Sequence, residues 1–548
     1  MKKKLLIMLI LFLPFVANAY ELEIEWEKTL VANRSDKYTA AAELYNGDII
    51  AIANTESKFE GLTDDLCHDV IIVKYDKNGN EKWKKRWGGN EIDIFTSIMA
   101  TKDNGFIAIG YTDSTDILEF NENGKYDGVI VKYNESGNVE WEKNWGGNDN
   151  DKFISVDYTK EGTYNVFAIT YSSNIDGIDG LGVLEIIFDK NGNISSQRVM
   201  NNNEKIERGN IILEGESYHQ STDNSFYIVG GGHRCSSALE PANSIGCIYK
   251  YNSNNEIIWQ KKPNSLPSGG DETYFDEYLS YNDSYLNEDD SLVVIGARVY
   301  DSKSDINALM QKYDREGNLL WEKTDFLQNY EYKILKKISK LKNGNFLILA
   351  SLKEESSSNE VILITDENGN LLFEKILPTI NNKGYIYFEE SKYDSSLLIG
   401  GYVNVEENNV YQEGYFSGPS YYPQSAMLMK MSFKYTLENQ TVENGTSTIE
   451  QQGRYGIVKP TPNEGYEVDK VIVKDKSGNV LDVEVTKQEY GTYSFELYTD
   501  VSVEVLFKEK LVNPKTGVSS FIGVMFTLML IGISSFFMIR NCNNSYEL

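Results

Sequence analysis

Short hydrophobic runs that alternate with polar residues recur along most of the chain, and turn residues separate them. The runs DVIIVKY and DGVIVKY are each followed by a glycine-containing turn and then by a tryptophan. Alternation of period two, with aromatic and β-branched residues in the runs, predicts strands rather than helices. Because residues 20–510 show no amphipathic helix pattern, we predict that this part of the chain is all-β.

A phrase of strand, turn and tryptophan, first seen as VKYDKNGNEKW, returns at intervals of about 52 to 63 residues. Its Asn78-Gly79 pair predicts a two-residue hairpin turn in which both residues have a positive φ. We expect the tryptophans to pack between sheets, which is a structural rather than a catalytic role. They are Trp26, Trp83, Trp141, Trp259 and Trp321.

Each repeat reads as four short antiparallel strands, and residues 21–437 hold seven such units. The last unit, near residues 385–434, has three strands only. The chain, however, begins with LEIEWEKTL, which looks like the fourth strand of the other repeats. Since a closed ring leaves no open sheet edge, we predict a seven-bladed β-propeller closed by the N-terminal strand.

The segments GGNEIDIF and YDGVIVKY carry a resemblance to the bacterial seven-bladed-propeller repeat family, clearest over residues 83–189. More distantly, the chain resembles the quinoprotein-like propellers. The resemblance implies a propeller fold and an extracellular or surface location. It implies no particular activity.

A different pattern begins after the propeller units and covers residues 438–510. Gly465-Tyr466 and the final VSVEVLF run resemble the small β-rich repeat modules of Gram-positive surface proteins, which implies a stalk. The alternation predicts strands at about 468–474, 480–486, 492–497 and 501–507.

The N-terminal residues 1–19 are typical of a signal peptide. Three lysines precede an apolar run, and Ala17-Asn18-Ala19 fits the small-residue rule for cleavage. At the other end, residues 518–539 form an apolar stretch that is long enough to cross a bilayer as a helix. A short cytoplasmic tail is expected at 540–548. We therefore expect the bulk of the chain to lie outside the cell.

The segment 511–517 lies directly before the apolar stretch and resembles the LPxTG-type sorting signals that sortases recognise. Asn513 takes the place of the usual leucine, as in NPxTG variants. The resemblance implies cleavage after Thr516, covalent attachment to peptidoglycan, and membrane contact only through the C-terminal helix before sorting. The motif residues are Asn513, Pro514, Lys515, Thr516 and Gly517.

The formal net charge of −29 argues against nucleic acid or anionic lipid as a partner, because both require clustered basic residues. Four cysteines are few for a secreted chain of 548 residues. Cys235 and Cys247 lie close enough in sequence to form a disulfide, and we do not expect a zinc site.

Long loops on a rigid scaffold commonly carry binding sites, and two sets of loop residues suggest one here. The first is an aromatic insertion suited to contact with a glycan or protein, namely Tyr411, Tyr415, Phe416, Tyr421 and Tyr422. The second is a set of carboxylates in the connections between repeats, which suggests calcium as the only cofactor: Asp93, Asp149, Asp151 and Asp271.

No catalytic motif is evident, and none of the three histidines has a recognisable nucleophile motif near it. We therefore expect a wall-anchored binding or adhesion protein that recognises a host or environmental glycan or protein. The alternative is a surface glycan hydrolase or lyase that uses loop carboxylates as acid and base. A structural spacer of the surface layer is the third interpretation.

Overall fold

The computed structural model confirms the all-β prediction for the part of the chain that it describes, where the only helical element is a single 3-10 turn, Glu489–Gly491. No helix in this part is long and apolar enough to span a membrane. The described residues are 21–510 without 31–35, 56–67, 118–124, 160–161, 179–181, 201–210, 222, 224, 235–244, 255, 262–276, 301–305, 325–326, 329, 342–343, 355–356, 379–382, 392–395, 405–423, 441 and 498.

Strands up to residue 434 form groups of four antiparallel neighbours, and within each group the order of pairing follows the chain. Strand β1 (Glu21–Leu30) belongs to the last group. Group 1 contains β2 (Asp36–Glu43), β3 (Ile49–Thr55), β4 (Asp69–Tyr75) and β5 (Glu81–Trp87). Group 2 contains β6 (Asp93–Ala100), β7 (Phe106–Thr112), β8 (Asp127–Tyr133) and β9 (Val139–Trp145). Group 3 contains β10 (Asp151–Tyr158), β11 (Tyr164–Thr170), β12 (Gly182–Phe188) and β13 (Ile194–Val199).

The remaining groups follow the same order. Group 4 contains β14 (Ile211–Gln220), β15 (Phe226–Arg234), β16 (Ile245–Tyr251) and β17 (Ile257–Lys261). Group 5 contains β18 (Glu277–Leu286), β19 (Leu292–Tyr300), β20 (Ile306–Tyr313) and β21 (Leu319–Lys323). Group 6 contains β22 (Tyr332–Lys340), β23 (Phe346–Glu354), β24 (Ser357–Thr365) and β25 (Leu371–Ile376). Group 7 contains β26 (Lys383–Glu390), β27 (Leu397–Asn404), β28 (Gln424–Lys434) and β1.

Two connections between groups differ from the simple pattern. The N-terminal strand β1 pairs with β28, from Glu21 opposite Lys434 to Leu30 opposite Ala426, so group 7 combines the two ends of this region. Groups 5 and 6 join into one eight-stranded sheet through a single parallel pair, Ile306 and Tyr332.

Consecutive groups contact one another, and the last group contacts the first. The first strand of one group contacts the first strand of the next in several places, and β26 of group 7 contacts β2 of group 1. The hydrophobic clusters lie between consecutive groups. Ile52 and Phe95 share the cluster between groups 1 and 2, and Tyr38 and Leu398 share the one between groups 1 and 7. This arrangement is a propeller-like all-β fold.

The hairpin turn after β4 corrects the predicted turn type. Gly79 has a φ of 79°, but it is the only turn residue with a positive φ, and its N–H donates to Asp76 O at 2.9 Å. The register of β4 and β5 shifts at Tyr75. These features define a type I turn followed by a glycine bulge. The Asp76 carboxylate accepts bonds from the backbone N–H groups of Asn78 and Asn80, which favours this form over the two-residue turn.

Each tryptophan of the repeated phrase packs on the turn glycine of the following group. A Cβ on Gly137 would lie 2.5 Å from the Trp83 ring, so only glycine fits beneath the indole. The indole N–H of Trp141 also donates to Lys190 O of the next turn at 3.0 Å. The other ring–glycine contacts are Trp26 on Gly79, Trp141 on Gly192, Trp259 on Gly317 and Trp321 on Gly369.

The C-terminal module forms two small sheets around a core that includes Val458, Phe495 and Val503. The predicted strand at 480–486 is wrong. Val480 makes only an isolated bridge with Lys474, while the alternating residues that follow pack partly on the core without a ladder. The strands are β29 (Leu437–Asn439), β30 (Gly445–Gln452), β31 (Tyr455–Pro462), β32 (Tyr466–Asp475), β33 (Thr486–Lys487), β34 (Tyr493–Glu496) and β35 (Val501–Glu509).

Candidate functional site

Each group has two ends. At the turn end, short hairpins connect the first strand to the second and the third strand to the fourth. At the loop end lie the connections from second to third strand and from one group to the next. The loop end therefore holds the first residues of the first and third strands together with the last residues of the second. Residues from neighbouring groups come close together at this end, as they also do at the turn end.

An aromatic and charged cluster occupies the loop end between groups 2 and 3. The Lys152 Nζ lies 4.6 Å from the centroid of the Tyr111 ring, and the Tyr126 ring meets Tyr111 edge-on at 5.4 Å. Asp113 follows β7, and its carboxylate accepts a bond from Ile92 N at 2.6 Å. Burial raises the pKa of Tyr111 and that of Asp113. All four side chains are partly exposed, so a ligand has access to them.

A second pair of the same kind lies between groups 7 and 1, where Lys37 Nζ is 5.0 Å from the centroid of the Tyr402 ring. The two pairs occupy equivalent positions. Each tyrosine follows a glycine that approaches the backbone of the first strand of its group, and a Cβ on Gly110 would lie 1.9 Å from Ile94 O. Each lysine is the second residue of the first strand of the next group.

Buried carboxyl groups lie beneath the loop end at two equivalent places. At the first junction, which we define as Asp69, Arg86, Gly88 and Asp93, the Arg86 Nη2 donates to Asp69 Oδ1 at 2.9 Å. The Asp93 carboxylate accepts bonds from Gly89 N at 2.7 Å and from hydroxyl groups of group 2. Burial raises the pKa of both acids.

The second junction consists of Asp127, Asn144, Gly146 and Asp151. Asp151 accepts bonds from Gly147 N at 2.7 Å and from Ser172 Oγ at 2.8 Å, as its counterpart does at the first junction. Burial, together with the charge of Asp151, raises the pKa of Asp127 to about 6. Both carboxyl groups are at most 2% exposed and cannot touch a large substrate.

These observations place the predicted calcium ligands. Asp93 and Asp151 accept bonds from the protein's own amides and hydroxyls, whereas Asp149 is partly exposed, 3.6 Å from Lys125 Nζ. Asp271 lies outside the described residues. Within the described residues, no three His, Cys, Asp or Glu side chains are grouped as a metal ion would need.

Several other predicted residues also lie outside the described residues. They include the signal peptide, the aromatic insertion with Tyr411, Tyr415, Phe416, Tyr421 and Tyr422, and the sorting motif with the segments that follow it. Cys235 lies outside as well, while Cys247 is buried in the core between groups 3 and 4.

A histidine and two serines meet between groups 4 and 5, which the sequence did not suggest. His219 Nε2 lies 2.9 Å from Ser284 Oγ and 3.1 Å from Ser284 O, and the Ser217 and Ser284 hydroxyls are hydrogen-bonded. Burial lowers the pKa of His219 to about 4, so the imidazole is neutral at pH 7. Ser284 is only 4% exposed, so this contact holds two groups together and does not present a nucleophile.

The turn end carries a groove of about 480 Å³ between groups 5 and 6. Lys340, one of the lysines that line it, already has partners, since its Nζ donates to Asn287 Oδ1 at 2.8 Å and lies over the Phe346 ring. Asp289 in its wall accepts bonds from the Ser291 amide and hydroxyl.

Comparisons with known proteins give no family. No protein-family model matches the chain, and no curated protein matches it. Among solved structures, the polysaccharide lyase Uly1 is similar with a TM-score of 0.43 and 12% identity, covering 73% of this chain and 90% of that one. An α-L-arabinanase from Penicillium chrysogenum, complexed with arabinobiose, has a TM-score of 0.34 and 11% identity, covering 62% and 98%. Similarities of this degree carry no argument about function.

Proposed function

We propose that this chain is an extracellular surface protein that binds a glycan at the loop end of a closed, seven-bladed propeller. Groups 1–7 would be the blades, over residues 21–437, and β1 would close the ring by completing the last blade. Residues 438–510 would act as a stalk. Pairing of β1 with β28, contact of β26 with β2 and hydrophobic clusters between consecutive groups support this architecture.

The observation that carries the binding proposal is the pair of equivalent tyrosine–lysine contacts at the loop end, Tyr111 with Lys152 and Tyr402 with Lys37. An aromatic face beside a donor and an acceptor suits a sugar ring, which offers apolar C–H groups and hydroxyls together. Lys152 supplies the donor and Asp113 the acceptor. Because the chain carries a net charge of −29, a neutral glycan fits better than an acidic one.

The test is binding of the protein to a panel of neutral and acidic polysaccharides, measured by retardation in gels that contain each polymer. We expect Tyr111→Ala combined with Tyr126→Ala to weaken binding at least tenfold. Tyr45→Ala is the matched control, because Tyr45 is 60% exposed and lies in the first hairpin turn, at the turn end. Equal retardation of all three proteins by the polymer that binds would contradict this site.

Cleavage of the bound glycan is a second candidate function, and Asp113 is the observation that favours it. This partly exposed carboxyl has a raised pKa and lies near Tyr111 and Tyr126. Asp69, Asp93, Asp127 and Asp151 are too buried to act on a substrate. New reducing or unsaturated ends, absent with Asp113→Asn while retardation persists, would establish cleavage. If the protein neither binds nor cleaves any of the polymers, that result would favour the structural spacer.

Attachment to the cell wall rests on the motif at 511–517 and its position before the apolar stretch at 518–539. In the proposed reaction, a sortase would cleave after Thr516 and join this residue to peptidoglycan. Thr516→Ala should move the protein from the wall fraction to the membrane fraction or the medium. Ser545→Ala, in the polar tail, should leave its distribution unchanged.

A further inference from the structure

The second junction lacks a charge that the first junction has. The sequences align as Arg86-Trp87-Gly88-Gly89 and Asn144-Trp145-Gly146-Gly147, and both tryptophans end the fourth strand of their group. In both places a buried aspartate begins the third strand and another begins the next group. Where Arg86 gives the first junction a guanidinium, Asn144 gives the second only a neutral amide.

The two buried acids of the second junction approach the same point. A Cβ on Gly146 would lie 2.1 Å from Asp127 Oδ1 and 2.8 Å from Asp151 Oδ2. At the first junction, Gly88 has the same relation to Asp69 and Asp93, at 2.1 and 3.0 Å. The carboxylate pairs are therefore held in the same way, and in each pair a carboxylate oxygen packs directly against the glycine.

Each carboxylate of this pair keeps one oxygen, Asp127 Oδ1 and Asp151 Oδ1, without a hydrogen-bond partner among the residues that the structure describes. Asp127 is 2% exposed, and the neutral side chain of Asn144 is hydrogen-bonded to its carboxylate. The equivalent atom at the first junction, Asp69 Oδ1, accepts the bond from Arg86 at 2.9 Å. A buried carboxylate pair that is bonded to neutral groups is costly, because such hydrogen bonds do not cancel two negative charges.

We propose that the second junction binds a calcium ion between the carboxylates of Asp127 and Asp151, where it supplies the positive charge that Arg86 supplies at the first junction. All the donors are oxygens, which calcium and magnesium prefer and zinc does not. Calcium accepts an irregular set of six to eight oxygens, so two carboxylates can be completed by water and nearby carbonyl groups.

The decisive experiment exchanges the two residues that differ. The protein is freed of metal with a chelator, and CaCl₂ or MgCl₂ is titrated into it in a calorimeter, with thermal melting in parallel. We expect one calcium ion to bind and to raise Tm by about 2 °C or more. Asn144→Arg should abolish calcium binding and should melt above the wild type when calcium is absent. Asp127→Asn should also abolish binding.

Two further variants separate this site from other acidic groups. Arg86→Asn should create a second calcium site, so the number of bound ions should rise from one to two. Asp149→Asn is the matched control, because Asp149 lies in the same connection but is partly exposed, and its response to calcium should equal that of the wild type.

Three results would overturn the proposal. They are no binding heat and no rise in Tm with calcium in the wild type, an undiminished calcium response in Asn144→Arg, or an equal response to magnesium. If calcium has no effect and Tm instead rises as the pH is lowered towards 5, a proton neutralises the pair and the site is not a metal site.

Discussion

The turn end and the loop end of the strand groups differ in how strictly the sequence repeats. At the turn end the same contact, a tryptophan ring on the glycine of the next turn, recurs from group to group. At the loop end, equivalent positions hold different side chains, such as Arg86 and Asn144, or Tyr111 and Asn54. The repeated residues hold neighbouring groups together, and the varied residues can therefore give one part of the molecule its own chemistry.

The largest effect should come from the turn end. Trp83→Ala removes a ring that packs on Gly137 and on the core shared by groups 1 and 2, and we expect the free energy of unfolding to fall by about 3 kcal/mol. Denaturant titration measures this change. Tyr45→Ala is the control and should change stability by less than about 0.5 kcal/mol. A small effect of Trp83→Ala would mean that the repeated phrase is not what holds the groups together.

At the loop end, Arg86→Met should cost about 2 kcal/mol, because it leaves Asp69 buried beside Asp93 without its partner. The estimate is below the full cost of breaking a buried ion pair, since the Arg86 side chain is 38% exposed. Adding Asp69→Asn to Arg86→Met should restore part of the loss. If the two substitutions instead prove additive, the pair does not interact as the distance indicates.

The second junction should make stability depend on pH. The pKa of Asp127 is raised to about 6 in the folded protein, above its usual value of 3.8, so the folded state binds this proton more tightly. In the presence of a chelator, stability should therefore be highest below about pH 4 and should fall by about 1–2 kcal/mol as pH rises to 6. Asp127→Asn should lack this decrease. A variant that kept the same slope would assign it to another group.

The smallest expected difference concerns the turn at residues 101–105. Asn104 has a φ of 61°, a conformation that the other turns mostly give to glycine. Asn104→Ala should be less stable than Asn104→Gly by about 1 kcal/mol, because alanine is strained at a positive φ. Thermal melting of the two variants is sufficient to compare them. The opposite order would show that this turn changes its conformation when asparagine is removed.

Much of the architecture could be predicted from the sequence, because it is repeated. The alternation of hydrophobic and polar residues predicted most of the strands. The resemblance of LEIEWEKTL to a fourth strand predicted a pairing that the structure contains, that of β1 with β28. The turn type was mispredicted because Asn78-Gly79 fits two turns, and the bonds from Asp76 decide between them. The strand predicted at 480–486 failed because alternation marks residues that pack on a core whether or not they join a ladder.

The candidate site was harder to predict. The sequence showed Asp93 and Asp151 as acids in the connections between repeats, but it did not show their partners. Asp69 approaches Asp93, and Asp127 approaches Asp151, only when two neighbouring groups pack side by side. Tyr111 and Lys152 are 41 positions apart and Tyr402 and Lys37 still farther, and no local pattern marks either pair. The aromatic insertion that drew attention in the sequence lies outside the described residues, so its role in binding remains a prediction.

The pairing of β1 with β28 also bears on how the strand groups would respond to mechanical tension. The chain leaves the strand groups at Lys434, and a pull applied at residue 510 would pass through the C-terminal module and then reach β28 before any other strand of the seven groups. This strand lies between β27 and β1 and pairs with both along most of its length. To extract it, tension must break two ladders at the same time, whereas an edge strand would be released by breaking one. A protein held to a surface by its C-terminal end would thus take the force of flow on one of its most firmly bonded strands.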